Sequence, residues 1–202
     1  MIKNVIFDFG QVLISFLPSY MVGVHVSDKE DAKLLADVVF DRLYWDKMDV
    51  GALSSEEMIE MVKQRLPKRL WGTAEKVYYD WIYNIPEIEG MRENVVYLKE
   101  KGIGVYLLSN ISDHFVNNAH KIPILNLIEN RIFSSVCHMV KPDVKIFEYA
   151  LEKFSLNPSE TLFVDDREDN VESARRVGMT GYVFDGNAQA LREFFDREIF
   201  AE

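Results

Sequence analysis

The sequence lacks the features that mark several common classes of protein. Its 202 residues include one cysteine, Cys137, so an internal disulfide cannot form and a cysteine-based metal site is not expected. No apolar run is long and uncharged enough to span a bilayer, and the run that precedes Asp8 is too short for a signal peptide. Internal repeats, heptad patterns and low-complexity linkers are absent as well. We therefore expect a soluble, cytoplasmic, globular protein.

Positive charge is scarce relative to negative charge. The chain carries 23 Lys and Arg residues against 33 Asp and Glu residues, which gives a formal net charge of −10. A chain of this charge repels phosphodiester backbones, and no run of Lys or Arg provides a local exception. Nucleic acid is therefore not expected as a partner. With 48% hydrophobic residues, the chain is able to bury the core of one catalytic unit.

Short apolar runs typical of β-strands alternate with helical patterns. Three runs end at polar residues: 5–7 before Asp8, 105–108 before Ser109 and Asn110, and 161–164 before Asp165 and Asp166. A last strand is predicted at 182–184, and helices are predicted at 89–101, 171–177 and 191–200. This alternation predicts an α/β fold, a parallel sheet covered by helices on both faces, with ligands at the carboxyl ends of the strands.

Residues 15–86 interrupt the alternation. Helix-period patterns at 28–44 and 54–65 occur there without a convincing strand, and Ser54 with the acidic residues after it is typical of a helix start. We predict a core of residues 1–14 and 87–202 and a helical insertion of residues 15–86, which overhangs the strand ends and serves as a lid. Its tryptophans are expected to pack in a core rather than form a sugar platform.

Two of the strand ends carry carboxylates in unfavourable surroundings. Asp8 lies among apolar residues, where an unpaired carboxylate is destabilising, although an isolated aspartate is more often a turn former or a helix cap. Asp165 and Asp166 repel each other unless they are protonated, solvated or bridged by a cation such as Mg²⁺. Asn170 follows four residues later and is placed to orient the pair.

Candidate phosphate ligands follow the other predicted elements. Ser109 and Asn110 are able to cap the next helix, to bind phosphate oxygens, or both. Lys141 precedes Pro142, which is expected in the first turn of a helix. A lysine fixed there would offset the charges of an aspartate and a phosphate, whereas an ordinary surface lysine has no such role.

Taken together, these residues resemble the four motifs of the haloacid dehalogenase superfamily over nearly the whole chain. The matching segments are Phe7-Asp8-Phe9-Gly10-Gln11-Val12-Leu13, Leu108-Ser109-Asn110, Val140-Lys141-Pro142-Asp143 and Phe163-Val164-Asp165-Asp166-Arg167-Glu168-Asp169-Asn170. The resemblance implies a Rossmann-like core with a helical cap inserted after the first strand. Within the superfamily, the first motif is similar to that of members related to sugar-1-phosphate phosphatases.

The resemblance also implies a Mg²⁺-dependent phosphatase that acts on a small phosphorylated metabolite. By position, Asp8 is the nucleophile and a metal ligand, and Gly10 gives a backbone carbonyl to the metal. Asp166 is the principal acidic metal ligand, and Asp165 lies beside it, bound directly or through water. Asn170 falls where many relatives have another acid and is assigned an orienting role.

For the phosphate itself, the resemblance implies three further groups. Ser109 and Asn110 would hold the phosphoryl oxygens. Lys141 would steady both the Asp8 carboxylate and the phosphate, and it is therefore counted with the catalytic as well as the substrate-binding residues.

Gly10 departs from the pattern of most phosphatases in this family. They carry a second aspartate there, two residues after the nucleophile, which protonates the leaving oxygen and then activates water. Loss of a general acid and base costs about 10² to 10⁴ in rate, and less when the leaving group is weakly basic. We therefore expect a preference for anomeric sugar phosphates or acyl phosphates. Gln11, Asp46 and Asp49 are candidates to position water instead.

Two other functions fit parts of the pattern. A 2-haloacid dehalogenase also uses an aspartate nucleophile, but it needs no metal, and the pair Asp165 and Asp166 argues against it. A binding or regulatory protein would keep the phosphate site and lack turnover, because Gly10 removes the acid.

Overall fold

The fold is built around one parallel sheet. The computed structural model describes residues 1–200. It contains strands β1 (Asn4–Phe7), β2 (Gly104–Ser109), β3 (Asn130–Phe133), β4 (Thr161–Asp165) and β5 (Thr180–Val183). All neighbouring strands are parallel, in the order β3-β2-β1-β4-β5. The strand order reverses at β1, as in a doubly wound Rossmann-like sheet. This confirms the predicted α/β fold class.

Helices fill the connections between the strands. The five that lie between β1 and β2, here called the cap helices, are α1 (Pro18–Gly23), α2 (Lys29–Val39), α3 (Arg42–Asp49), α4 (Ser55–Arg65) and α5 (Trp71–Asp80). The others are α6 (Met91–Glu100), α7 (Asp113–Asn118), α8 (Ser134–Cys137), α9 (Val144–Phe154), α10 (Glu168–Arg176) and α11 (Ala188–Glu198). Within residues 1–200, no helix combines the length and the apolarity needed to cross a membrane.

Both faces of the sheet are buried. Side chains alternate along a strand, so Val5 and Phe7 of β1 belong to one apolar cluster and Ile6 belongs to another. Helices α6 and α11 contribute to the first cluster, and α9 and α10 contribute to the second. This two-sided burial explains why the strands are short, nearly continuous apolar runs.

The cap helices pack on one another and join the first apolar cluster of the sheet. The chain enters and leaves them side by side, because the Ser15 N–H donates to the Pro86 carbonyl at 2.8 Å and the Ile88 N–H donates to the Leu13 carbonyl at 3.1 Å. The division into a core of 1–14 and 87–202 and a cap of 15–86 stays a prediction, since one apolar cluster contains residues of both parts.

The structure corrects the predicted helix over residues 28–44. Two helices, α2 and α3, replace it, with the break at Phe40 and Asp41. The Asp41 side chain accepts a hydrogen bond from the Leu43 N–H at 2.9 Å and thereby starts a new helix. The helix start at Ser54 is confirmed, because Ser54 and Glu57 form a reciprocal capping box.

Two further features differ from the expectation. Strand β3 escaped prediction because it has four residues at the edge of the sheet and only Ile132 among them is buried. Pro142 is not in the first turn of a helix as expected. The side chain of Asp143 caps α9 by accepting from the Lys145 N–H, so Pro142 precedes the cap, and the Lys141–Pro142 peptide is cis.

Candidate active site

The three carboxyl ends of the central strands meet at one edge of the sheet. Asp8 follows β1, Ser109 ends β2 and Asp165 ends β4. The register pairs Phe7 with Val164 of β4, so the residues that follow, Asp8 and Asp165, are adjacent. The structure therefore brings together the side chains that the sequence analysis placed at separate strand ends.

Lys141 joins the two carboxylates. Its Nζ lies 2.7 Å from Asp8 Oδ1 and 2.6 Å from Asp165 Oδ2, and the lysine is 5% exposed. A buried ammonium group is tolerated only when it is paired, and here two carboxylates share it. Burial acts to lower the pKa of Lys141, but the charges of Asp165 and Asp8 outweigh it and raise the pKa. Lys141 therefore stays protonated.

Both carboxylate oxygens of Asp165 accept hydrogen bonds, and the donors are Lys141, Arg167 and Asn170. Its Oδ1 accepts from the Arg167 N–H and from Asn170 Nδ2, both at 2.9 Å. Its Oδ2 accepts from Lys141, and also from Asn170 Nδ2 at 3.0 Å. The side chain is fully buried. Asn170 thus contacts both oxygens of Asp165, which is the geometry of a residue that orients this carboxylate.

The negative charges of Asp8 and Asp166 are less well compensated than that of Asp165. Burial and the charge of Asp165 raise the pKa of Asp8 to about 7, although Lys141 acts against them. Burial, followed by the charge of Asp165, raises the pKa of Asp166 as well. Asp166 is half-buried and lines the same pocket as Asp8. Both carboxylates would gain from a positive charge in that pocket.

The carboxylates form a donor set that fits a hard divalent cation. One oxygen each from Asp8, Asp165 and Asp166 lies within 4.8 Å of the others. Three carboxylates face one ammonium group, so negative charge is in excess. In addition, Asn170 Oδ1 is buried without a hydrogen-bond partner among residues 1–200. Oxygen ligands, excess negative charge and an unused acceptor match Mg²⁺ with its bound waters. Gly10 lines this pocket too.

The two phosphate-binding candidates at the end of β2 line the same pocket. Ser109 is buried and lines the pocket. Asn110 also lines it, but its side-chain amide makes two 2.9 Å hydrogen bonds with the backbone of Lys141. Neither residue caps the next helix, because the N-cap of α7 is Ser112. The capping alternative for Ser109 and Asn110 is therefore wrong.

Helix α3 and other parts of the segment between β1 and β2 contribute to the wall of the pocket, which has a volume of about 200 Å³. The sequence analysis predicted that the tryptophans of residues 15–86 pack in a core, and Trp45 and Trp81 line the pocket as well. The aromatic residues of this segment that line the pocket also pack against one another, and these residues are Phe16, Phe40, Trp45 and Trp81. Arg42 and Asp49 of α3 add two ionisable side chains to it. This volume is below the roughly 300–1,000 Å³ of pockets for drug-sized ligands, so the pocket suits a smaller molecule.

Comparison with known proteins agrees with the site. A family model described as haloacid dehalogenase-like hydrolase matches residues 2–178. A D-ribitol-5-phosphate phosphatase of Bacteroides thetaiotaomicron is 24% identical over 201 residues, which cover 96% of this chain and 97% of that protein. A sesquiterpene phosphatase of Aspergillus oryzae is 25% identical over 181 residues, or 89% of this chain and 88% of that protein.

Solved structures share the fold. A haloacid dehalogenase family enzyme of Bacteroides thetaiotaomicron, in complex with magnesium and inorganic phosphate, superposes with a TM-score of 0.70 at 21% identity and covers 95% of this chain and 99% of that one. The L-2-haloacid dehalogenase of Xanthobacter autotrophicus gives a TM-score of 0.67 at 15% identity and covers 100% of this chain and 85% of that one. With a family model that spans most of its length, the chain belongs to the haloacid dehalogenase-like hydrolases.

Proposed function

We propose that this hydrolase is a Mg²⁺-dependent phosphomonoesterase that acts on a small phosphorylated metabolite through a phosphorylated Asp8. One observation carries the proposal. The buried Lys141 ammonium lies 2.7 Å from Asp8 and 2.6 Å from Asp165, at the floor of a small pocket. This arrangement fixes a carboxylate nucleophile beside a positive charge and shields it from bulk water.

The residues of the chain have distinct roles in this proposal. An Asp8 oxygen attacks phosphorus, the bond to the leaving oxygen breaks, and water then hydrolyses the aspartyl phosphate. Lys141 holds Asp8 in place and neutralises charge on the phosphoryl group. Ser109 contributes its hydroxyl to the phosphoryl oxygens, and Asn110 acts both on them and on the backbone of Lys141.

Asp8, Asp166 and the Gly10 carbonyl would hold the metal, with Asp165 beside them. Asp165 already accepts hydrogen bonds at both oxygens, whereas the structure shows no such set of donors for Asp166 among the described residues. This difference supports Asp166 as the principal acidic ligand. A bound Mg²⁺ supplies positive charge that offsets the phosphate and the three carboxylates. Asn170 keeps the Asp165 carboxylate aligned beneath the site.

The relatives support a phosphorylated small molecule as substrate. The relative from Bacteroides thetaiotaomicron is named for a polyol phosphate, and the solved enzyme from the same organism was captured with magnesium and phosphate. We carry the sugar-phosphate class over as part of the proposal. A preference for sugar 1-phosphates is the finer hypothesis, and it applies if no other group replaces the acid missing at Gly10.

Phosphate release from a defined panel tests the proposal. The panel contains p-nitrophenyl phosphate, acetyl phosphate, glucose 1-phosphate, glucose 6-phosphate and ribitol 5-phosphate, each with Mg²⁺ or with EDTA. Wild type is compared with Asp8→Asn and with Asp37→Asn, which alters an exposed carboxylate of α2 that pairs with Lys33. We expect turnover that needs Mg²⁺, disappears in Asp8→Asn and persists in Asp37→Asn.

Other outcomes of the panel lead elsewhere. Comparable turnover of glucose 1-phosphate and glucose 6-phosphate would remove the 1-phosphate preference and leave the phosphatase intact. Gly10 favours one alternative function, a phosphometabolite-binding protein, because the usual acid is absent there. Mg²⁺-dependent binding of these compounds without release of phosphate would identify that function. Chloride release from 2-chloropropionate, together with no phosphate release, would identify a dehalogenase.

A further inference from the structure

Asp49 is a buried carboxylate with a side-chain oxygen that accepts no hydrogen bond from the described residues. It is the last residue of α3, is 8% exposed and lines the same pocket as Asp8. Among residues 1–200, its Oδ1 has no hydrogen-bond partner. Burial of an unpaired carboxylate is destabilising, so this position is unfavourable for folding alone.

The other two candidates to replace the acid missing at Gly10 are already engaged. The Gln11 amide accepts from the Phe16 N–H at 3.1 Å and donates to the Phe16 carbonyl at 3.5 Å, which ties it to the turn after β1. Asp46 is exposed, pairs with Arg42 at 2.7 Å and does not line the pocket. Asp49 alone among the three has an unused oxygen beside the pocket.

The backbone of Asp49 is fixed to the phosphate side of the site. Ser134, which is fully buried, donates its hydroxyl to the Asp49 carbonyl at 2.5 Å. The same hydroxyl oxygen accepts from the N–H of Ile111, the residue that follows Asn110. One serine therefore connects the end of α3 to the loop after β2. The hydrogen bond to its carbonyl fixes the backbone of Asp49, so its position does not depend on a hydrogen bond to its side-chain Oδ1.

The surroundings of Asp49 also favour its protonated form. Burial raises the pKa of Asp49 to about 7, Arg42 and Lys141 act to lower it, and Asp46 acts to raise it. A carboxyl group with such a pKa is able to give a proton and take it back near neutral pH. A carboxylate in water, with a pKa of about 3.9, is a poor proton donor at that pH.

We propose that Asp49 supplies the proton-transfer function that Gly10 lacks, as the general acid and then the general base of the reaction. The inference rests on the proposed phosphatase function. In the first step Asp8 Oδ forms a bond to phosphorus, and the bond from phosphorus to the leaving oxygen breaks with its electron pair on that oxygen. The proton of the Asp49 carboxyl group moves to the same oxygen, so an alcohol departs and Asp49 becomes a carboxylate.

In the second step water completes the cycle. The water oxygen forms a bond to phosphorus while the Asp49 carboxylate takes one of its protons. The bond between phosphorus and Asp8 breaks, and its electron pair returns to the Asp8 carboxylate. Inorganic phosphate leaves, Asp49 is protonated again, and no other reactant is needed.

The test varies the basicity of the leaving group while its shape stays nearly constant. Phenyl phosphate and p-nitrophenyl phosphate are compared with Mg²⁺ for wild type and Asp49→Asn. The unsubstituted phenolate is strongly basic, with a pKa near that of tyrosine, about 10, and it needs a proton more than p-nitrophenolate does. The ratio kcat/KM is used because it reports the steps up to release of the phenol.

We expect Asp49→Asn to lower kcat/KM for phenyl phosphate about 10²-fold and for p-nitrophenyl phosphate less than about 10-fold. Because hydrolysis of the aspartyl phosphate also loses its base, p-nitrophenyl phosphate should give a burst of about one p-nitrophenolate per enzyme, followed by slow turnover. Asp37→Asn alters an exposed carboxylate of α2 that pairs with Lys33 and does not line the pocket, and it should leave the ratio between the two substrates unchanged. Circular dichroism and thermal melting verify that each variant is folded.

The outcomes separate this inference from the phosphatase itself. An equal loss on both substrates would overturn the acid role, because a change in positioning or folding does not depend on the leaving group. Full activity of Asp49→Asn on phenyl phosphate would overturn it as well. Absence of Mg²⁺-dependent turnover in wild type, or turnover that survives Asp8→Asn, would overturn the proposed function and this inference with it.

Discussion

The side chain of Asn110 forms two hydrogen bonds with the backbone of Lys141, 31 residues further along the chain. Its Oδ1 accepts from the Lys141 N–H and its Nδ2 donates to the Lys141 carbonyl, each at 2.9 Å. The two bonds tie the end of β2 to the segment before α9. Lys141 is thereby anchored at its main chain by one strand end and at its ammonium group by Asp8 and Asp165.

Loss of the two hydrogen bonds from Asn110 should displace Lys141. Asn110→Ala is expected to lower kcat about 10²-fold, because an error of about 1 Å in a positioned catalytic group has an effect of this size. Asn110→Asp keeps the acceptor for the Lys141 N–H, but it sets a carboxylate oxygen against the Lys141 carbonyl and adds negative charge beside the phosphoryl group, so it should lower kcat at least as much as Asn110→Ala. Steady-state kinetics on p-nitrophenyl phosphate measure both variants. An unchanged kcat in Asn110→Ala would show that Asp8 and Asp165 position Lys141 without help.

Mg²⁺ should change the effect of Asp166 on stability from unfavourable to favourable. Without metal, Asp166→Asn relieves repulsion from Asp165 and is expected to raise the melting temperature. With Mg²⁺ at 100 times its dissociation constant, wild type gains about 2.7 kcal/mol, and the variant gains less because it has lost a ligand. Differential scanning calorimetry with Mg²⁺ or EDTA measures both. Equal Mg²⁺ stabilisation in both proteins would contradict the assignment of Asp166 as a ligand.

The pH dependence of catalysis should reflect Asp49. Its protonated form is the proton donor, and its pKa is about 7, so kcat/KM for phenyl phosphate should fall as pH rises through about 7. Asp8 attacks as a carboxylate and its pKa is also raised to about 7, so the same profile should fall on the acid side when Asp8 becomes protonated. Asp49→Asn should lose the decline at high pH, since asparagine does not titrate. Profiles from pH 5 to about 9, measured for both proteins on both aryl phosphates, provide the comparison. A decline that persists unchanged in Asp49→Asn would assign it to another group.

Several charged groups surround Asp49 and set the position of that decline. Arg42 and Asp46 lie on α3 with it, and Lys141 approaches from the segment before α9. Asp166 and Arg167 line the same pocket from the end of β4, and Asp8 lines it from the end of β1. On the side of α8, His138 is engaged with the carbonyl of Val50 at 3.0 Å.

Position 10 has room for an aspartate, the residue that the family resemblance leads us to expect there. A Cβ built on Gly10 has no heavy atom within 4 Å beyond its chain neighbours in the described residues, and its φ is not positive. Gly10→Asp added to Asp49→Asn should therefore raise kcat/KM for phenyl phosphate about 10-fold or more. Gly10→Asn is the matched control of equal size without a transferable proton. A gain of equal size with Asn would contradict proton transfer from position 10.

The capping box at Ser54 offers a test of how the cap helices are coupled to the sheet. The Ser54 hydroxyl accepts from the Glu57 N–H, and the Glu57 carboxylate accepts from the Ser54 N–H. Ser54→Ala should destabilise the protein by about 1 kcal/mol, whereas Ser54→Asp should keep the cap. Urea unfolding measures the change. One shifted transition indicates a single cooperative unit, and a separate early transition indicates a cap that unfolds by itself.

Much of the site could be predicted from the sequence because its signals are local. Asp8, Ser109 and Asp165 follow apolar runs that are long enough for strands, and parallel strands place such ends at one edge of a sheet. The pairing of Asp165 with Asn170 follows from their spacing across one helix start. These residues needed no knowledge of the cap.

The wall of the pocket, in contrast, depended on packing between distant segments. The edge-to-face contacts among Phe16, Trp45 and Trp81 join residues that are up to 65 positions apart, and no local pattern distinguishes them from an ordinary core. The position of Asp49 depends on the helix break at Asp41 and on the hydrogen bond from Ser134, which lies 85 residues further along the chain. Neither could be predicted from the sequence. The sequence alone determined which polar residues stand at the strand ends, because each of them directly follows the apolar run that forms its strand. Only the tertiary structure showed that Asp49 lines the same pocket as Asp8, because this depends on how α3 packs against distant segments of the chain.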